Sequence, residues 1–351
     1  MWFRILVTLL ALGVLAVLYK PLLRGFDRLL AWTDGVFDAI RGKRWRDAPL
    51  AFCLLAPVFA ILGTFGIAPL FYAVYLSLFN FKRLGERPFI AFENYTRAFT
   101  EPDFWKSVLI TVYYVIGTVP VTMAISFLIA SLLYRIVRGR GLFRTVYFLP
   151  YITAVVAAAI VWAGLLHPQD GPVNGLLQRL GFEPQAWLLE SRGVLWVVTN
   201  GWIGPNVGPS LALFCIMLFE IWHSSGFMIV IFLAGLTAIP RDLEEAARID
   251  GAGWWQATRA VTLPMLSPTI FFLLVVSTIK AFQAFNSFYA MTGNGRGPQN
   301  TTQNLTVYIY ANFYEFGRIG YGAAVATLLA IGIVVMTVLQ WRIAGRRVHY
   351  E

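Results

Sequence analysis

Seven stretches of the chain run almost unbroken in apolar residues: 2–19, 50–79, 107–134, 146–167, 209–235, 268–292 and 320–343. A helix crosses a bilayer with about 20 apolar residues, and within lipid it must pair every backbone polar group internally. Runs of this length commit the chain to an all-α fold, a polytopic transmembrane helical bundle of seven spans. Charge content agrees. Only 13% of the 351 residues are charged, against roughly a quarter in a soluble domain. The net charge of +10 does not mark a nucleic-acid binder. Its Lys and Arg residues sit in short tracts between the apolar runs, with no base-stacking aromatics interleaved. The surroundings expected are membrane lipids, and nucleic acid is excluded.

Three regions follow. Residues 1–49 hold the first apolar run and a basic linker, 50–343 form the main transmembrane domain, and 344–351 are a short tail. The first run is as short as a signal sequence, but Tyr19-Lys20-Pro21 is a poor cleavage site, so a retained extra N-terminal helix is expected. In the linker, Leu22, Phe26, Leu29, Leu30, Phe37 and Ile40 recur at helical spacing opposite Arg24, Asp27, Arg28, Asp34 and Asp38. That pattern suits an amphipathic helix in the headgroup plane, or an ordinary connector. Alternate loops hold 17 Lys plus Arg on one side and 10 on the other. The positive-inside bias then puts the N-terminus outside and the C-terminus in the cytoplasm. Within the outer loop 168–208, Gly193 to Ile203 is apolar but too short to cross, which makes it interfacial or re-entrant. Cys53 and Cys215 each lie in an apolar run without metal-ligand spacing and read as small buried side chains.

The loop 239–268, IPRDLEEAARIDGAGWWQATRAVTLPMLSP, falls on the cytoplasmic side. Asp242 followed by Glu245 has capping-box spacing, and Glu244 with Glu245 complements a helix N-terminus. Ala246, Ala247 and Gly251 form a small-residue surface that another backbone could approach closely. Gly251 or Gly253 ends this helix, WWQATRAVTL begins a second, and Leu263-Pro264 ends that one. Ser267-Pro268 then starts the next span. A helical elbow on the cytoplasmic face suits a subunit that receives force from a soluble motor.

The spacing Glu245-Ala246-Ala247, Gly251, Val261, Leu263-Pro264 resembles the EAA loop of binding-protein-dependent ABC import permeases, with Val261 where Ile is usual. The extended form EEAARIDGAG is similar to the maltose-permease-like branch that imports sugars and polyols. FIAFENYTRAFTEPDFWKSV (89–108) and the stretch 293–324 resemble outer loops of that branch. The resemblance runs from about Asp47 to Arg342 and implies a six-span permease core plus the extra first helix. It further implies that Glu244, Glu245, Ala246, Ala247, Asp250, Gly251, Leu263 and Pro264 couple the chain to an ATPase. The partners implied are two ATP-binding cassette ATPase subunits, a second, homologous permease subunit in a heterodimer, and an extracytoplasmic substrate-binding protein. The chain itself carries no Gly-x4-Gly-Lys-Ser/Thr cradle, since Gly42-Lys43 lacks both flanks. It is therefore expected to be non-catalytic, without cofactor or metal.

Polar residues inside spans suggest a pathway or a partner. Glu220 and His223 share one face of the fifth run, and Lys280, Gln283 and Asn286 recur along one stripe of the sixth. Trp222, Gln283, Phe285, Asn286 and Tyr289 suit a polyol, with amides for hydroxyls and rings for apolar sugar faces. Helix–helix hydrogen bonding explains such residues equally well. Two other classes compete: an ion-coupled secondary transporter, which would leave the elbow unexplained, and a membrane-embedded transferase, which would need a carboxylate, His or metal cluster.

Overall fold

The computed structural model describes residues 48–82, 87–135, 139–199, 201–205, 207–343 and 345. The first apolar run, the linker up to residue 47 and the tail apart from Gly345 lie outside the described residues. Among the described residues four helices are long and apolar enough to cross a membrane: Phe52–Ser77, Pro102–Arg135, Leu211–Ala238 and Ile319–Ile343. Two bent helix pairs bring the described spans to six if each pair is one span. Four to six spans, all helical among the described residues, agree with a polytopic helical bundle.

The chain divides after Tyr72 into two compact units. The first contains α1 (Ala48–Ile61), a π-helical turn at Leu62–Ile67 and the start of α2 (Ala68–Ser77). Pro69 has no N–H and would clash with the carbonyl four residues back. The widened turn just before it relieves that clash and keeps the span continuous.

The second unit begins with α3 (Glu93–Thr100), tied back by Asn94, whose Nδ2 donates to Ser77 O at 2.8 Å and Phe79 O at 3.0 Å. Then come α4 (Pro102–Arg135), α5 (Arg140–Ile152) and α6 (Val155–Leu165). The continuous span expected over 146–167 is not one helix: α5 and α6 meet at a 93° bend at Thr153-Ala154. The segment 168–208 folds around Asn174 of α7 (Pro172–Arg179), which is 1% exposed. Its Nδ2 donates to Pro168 O and Gln185 O, while its Oδ1 accepts from Gln185 N and Trp187 Nε1. Gly193 to Ile203 supplies only the short helix α8 (Val194–Val198), and Trp202 beyond it is 93% exposed. Beside it Arg192 donates to Glu190, holding that carboxyl below the usual carboxylate range, and stacks on Trp196 at 3.9 Å.

Next is α9 (Leu211–Ala238), which packs most extensively on α4 and then on α5. Small residues set these crossings. A Cβ on Gly226 would sit 2.4 Å from Tyr147 O, so only glycine lets α9 lie against the α5 backbone. The elbow helices follow, then α13 (Ser267–Phe282), α14 (Asn286–Thr292), α15 (Leu305–Tyr310) and α16 (Ile319–Ile343). Buried hydroxyls on α4 bond back along their own helix: Thr111 to Ser107 O, Thr118 to Tyr114 O and Thr122 to Thr118 O, all within 2.7 Å. In lipid this is how Ser and Thr avoid an unpaired donor.

Candidate functional site

The elbow consists of α10 (Arg241–Ile249), α11 (Trp254–Ala257), a π-helical turn at Thr258–Thr262 and α12 (Leu263–Met265). Asp242, expected to cap the first helix, lies one residue inside it; the start at Arg241 follows Pro240, whose carbonyl accepts from Leu243 N. Of the two candidate breakers, Gly251 ends α10. It has φ +80°, a left-handed angle, and Ala252 N–H reaches back to Ala247 O at 2.9 Å, closing a Schellman turn. Gly253 is extended and precedes α11, where Gln256 Oε1 accepts from Gly253 N–H at 2.8 Å. That side-chain cap was not visible as a pattern of charges. Pro264 does not end the second helix as expected. The π-helical turn before it opens the backbone, so the helix continues to Met265 before bending 69° into α13 at the fully buried Leu266.

Glu245, Ala246 and Asp250 are exposed, and Ala247 is half-buried. The Glu244 side chain lies outside the described residues. Nothing comes within 4 Å of the position a Cβ would take on Gly251. Ile249 is 86% exposed and Trp255 60%. Leu263 and Pro264 are half-buried, supporting the bend rather than facing outward. Arg135, at the end of α4, rests over Trp254 at 5.3 Å and links the elbow to the bundle. The result is an open face of small residues edged by exposed apolar side chains.

Within the bundle, the stripe expected along one helix is broken. Helix α13 stops at Phe282, and Gln283 to Phe285 leave helical geometry before Asn286 starts α14. The break frees the carbonyl of Ala284, which accepts from Asn304 Nδ2 at 2.6 Å and from Thr306 Oγ1. The other break, at Thr153, has its carbonyl 3.4 Å from His223 Nε2. Irregular backbone at membrane depth survives only where neighbours pair it or where it lines a cavity.

The breaks sort the expected substrate residues into two groups. Trp222 joins Trp162, Phe219 and His223 at ring distances of 5.4, 6.1 and 6.4 Å. Phe285 and Tyr289 instead stack on each other at 5.3 Å and continue through Tyr310 to Tyr314, steps of 5.1 and 4.8 Å. Gln283 and Asn286 are exposed, and their side chains make no hydrogen bond among the described residues. Sequence reasoning missed Tyr151, Phe227, Tyr310 and Tyr314. Their signal was present as aromatic residues within runs otherwise dominated by aliphatic ones, but only the fold shows which rings meet.

The family described as binding-protein-dependent transport system inner membrane component matches residues 98–349. The sulfoquinovosyl glycerol transport system permease protein of Agrobacterium fabrum is 35% identical over 86% of this chain and 94% of its own length. The trehalose/maltose transport system permease protein of Thermococcus litoralis is 29% identical over 87% of this chain and 96% of its own. The sn-glycerol-3-phosphate transport system permease protein of Agrobacterium fabrum is 29% identical over 86% and 96%. The crystal structure of a bacterial alginate ABC transporter, in complex with its alginate pentasaccharide-bound periplasmic protein, contains a chain of the same fold. It superimposes with a TM-score of 0.70 over 86% of this chain and 97% of that one, at 21% identity.

Proposed function

The chain belongs to the family of binding-protein-dependent transport system inner membrane components, and from that premise we propose that it is a translocation subunit of an ATP-driven importer for a carbohydrate or related polyol. It is a multi-pass inner-membrane permease rather than an enzyme, and ATP is hydrolysed by two partner cassette subunits. A second, homologous permease completes the pathway, and an extracytoplasmic binding protein delivers the cargo. The N-terminus lies outside and the C-terminus in the cytoplasm, which puts the elbow on the ATPase side.

The observation that carries this reading is the open elbow face. Ala246, Ala247 and Gly251 leave a surface that a partner's backbone can approach, with Glu245 and Asp250 exposed beside it. The elbow runs through the π-helical turn and a 69° bend into α13, so a push on α10 passes along a helical path to the broken helices. Closure of the ATPase pair then rocks the bundle between inward- and outward-facing states. Leu263 and Pro264 act in this by shaping the turn.

Two features support a carbohydrate cargo. The relatives' names specify trehalose/maltose, sulfoquinovosyl glycerol and sn-glycerol-3-phosphate, all polyhydroxylated. In this chain, the open amides of Gln283 and Asn286 offer donors and acceptors, while Trp222, Phe285 and Tyr289 offer ring faces. Sugar sites combine these two kinds of group. Residues 50–343 form the permease domain in this reading.

Glu245→Lys tests the coupling role. Its position on an exposed helix face leaves folding and insertion intact. The ATPase subunits should fail to co-purify with the variant, and ATP-driven uptake should fall by about tenfold or more, the scale of replacing an interface charge by its opposite. Unaltered uptake and association would remove Glu245 from the coupling surface.

A further inference from the structure

Lys280 is a cation in the last turn of α13, within the apolar run 268–292 and beside the break that ends the helix. Such a residue is costly in lipid and marks a function or a partner. Among the described residues no carboxylate lies within 4.0 Å of its ammonium. The ammonium is instead 3.4 Å from Tyr151 Oη, 4.9 Å from the centre of the Phe227 ring and 5.6 Å from that of Tyr151. Tyr151 and Phe227 are themselves stacked at 5.2 Å, so α5 and α9 hold one fixed aromatic wall. Ring faces shelter a cation without neutralising it. Glu220 is close enough to interact electrostatically with both His223 and Lys280, yet its carboxyl sits inward by Tyr114. The ammonium is exposed, with protons free to meet something else.

We propose that Lys280, held against Tyr151 and Phe227, is the anchor for a single anionic group on the cargo, and that the cargo is an acidic carbohydrate. This rests on the reading of the chain as a carbohydrate importer. A compact ammonium accepts a carboxylate, sulfonate or phosphate without imposing the planar fork geometry of arginine. The charge-assisted hydrogen bonds it forms are about twice as strong as neutral ones. The rival role for Lys280 is a counter-charge for Glu220 with no contact to cargo.

The test is ATP-driven uptake into membrane vesicles bearing the complete importer and its binding protein. The probes are glycerol 3-phosphate, a hexuronate, a sulfonated hexoside and neutral trehalose. One of the acidic probes should be imported in preference to trehalose. Lys280→Gln should lower its uptake at limiting concentration by about tenfold or more, the effect of losing one charge-assisted hydrogen bond. Lys280→Arg should retain most of it, and the double variant Lys280→Gln with Glu220→Gln should stay as low as the single one. Co-purification of the ATPase subunits shows that each variant is folded. Import of trehalose alone, unchanged acidic uptake in Lys280→Gln, or recovery in the double variant would overturn the anchor. If no probe enters although the ATPase subunits are bound and active, the carbohydrate reading itself fails, and the anchor with it.

Discussion

At Gly251 one backbone angle decides where the elbow turns. Its φ of +80° suits glycine, and the Schellman bond from Ala252 N–H to Ala247 O depends on it. A side chain there has open space, so the penalty is conformational and not steric crowding. Left-handed geometry costs an L-residue roughly 1–2 kcal/mol, and more when Cβ is branched. Gly251→Val should therefore leave insertion unchanged and reduce ATP-coupled uptake several-fold, whereas Gly253→Ala, at an extended position, should be nearly silent. Parallel uptake assays on the two variants check this; equal defects would contradict it. Sequence reading narrowed the break to these two glycines but could not choose, because only the φ angle separates them. It misplaced the cap for a related reason. Asp242 had the right spacing for a capping acid, but Pro240 already fixes the start of α10, and the side chain that caps the next helix is Gln256.

At the scale of elements, the long apolar runs were legible and their interruptions were not. Length and composition are local properties of a run, so α4, α9 and α16 fall within a few residues of expectation. The breaks at Thr153 and Gln283 carry no charge or glycine to announce them. What makes them tolerable comes from elsewhere in the chain: His223 for the Thr153 carbonyl, Asn304 and Thr306 for that of Ala284. Pro150 was the one local hint, and Thr153 Oγ1 does bond its carbonyl at 2.6 Å. Asn304 is the sharpest test of this account. It is 1% exposed, donates to Ala284 O and accepts from Val307 N at 2.9 Å, capping α15 as it closes the break. Asn304→Ala removes one of the two donors to the Ala284 carbonyl, leaving it to Thr306, and removes a helix cap, costing about 1–3 kcal/mol together. A thermal unfolding curve in detergent should shift down by several degrees. An unchanged midpoint would mean that the break is held by other contacts.

Across the whole molecule, the spans of the second unit form a bundle whose ends differ in kind. One end carries an ordered segment pinned by the buried Asn174, and the other carries the open elbow. Between them the two helix breaks and the midpoint of α9 gather Lys280, Tyr151, Phe227 and His223, the groups with the most chemistry to offer. Overall class was readable because lipid leaves helices so few alternatives, whereas of the seven spans expected the described residues hold four to six. The grouping of aromatic residues was not, since it depends on which helices cross and on glycines such as Gly226 that set how closely they do. The central claim is that the elbow meets a nucleotide-hydrolysing partner inside the cell. The most direct test takes an Ala246→Cys variant, altered at an exposed position of α10, and applies a short thiol cross-linker to native membranes. The account predicts a cross-linked product containing an ATP-binding cassette subunit, with the introduced thiol shielded from membrane-impermeant reagents added outside intact cells. Labelling of that thiol from the external medium, or a failure to capture the ATPase in the assembled complex, would contradict it.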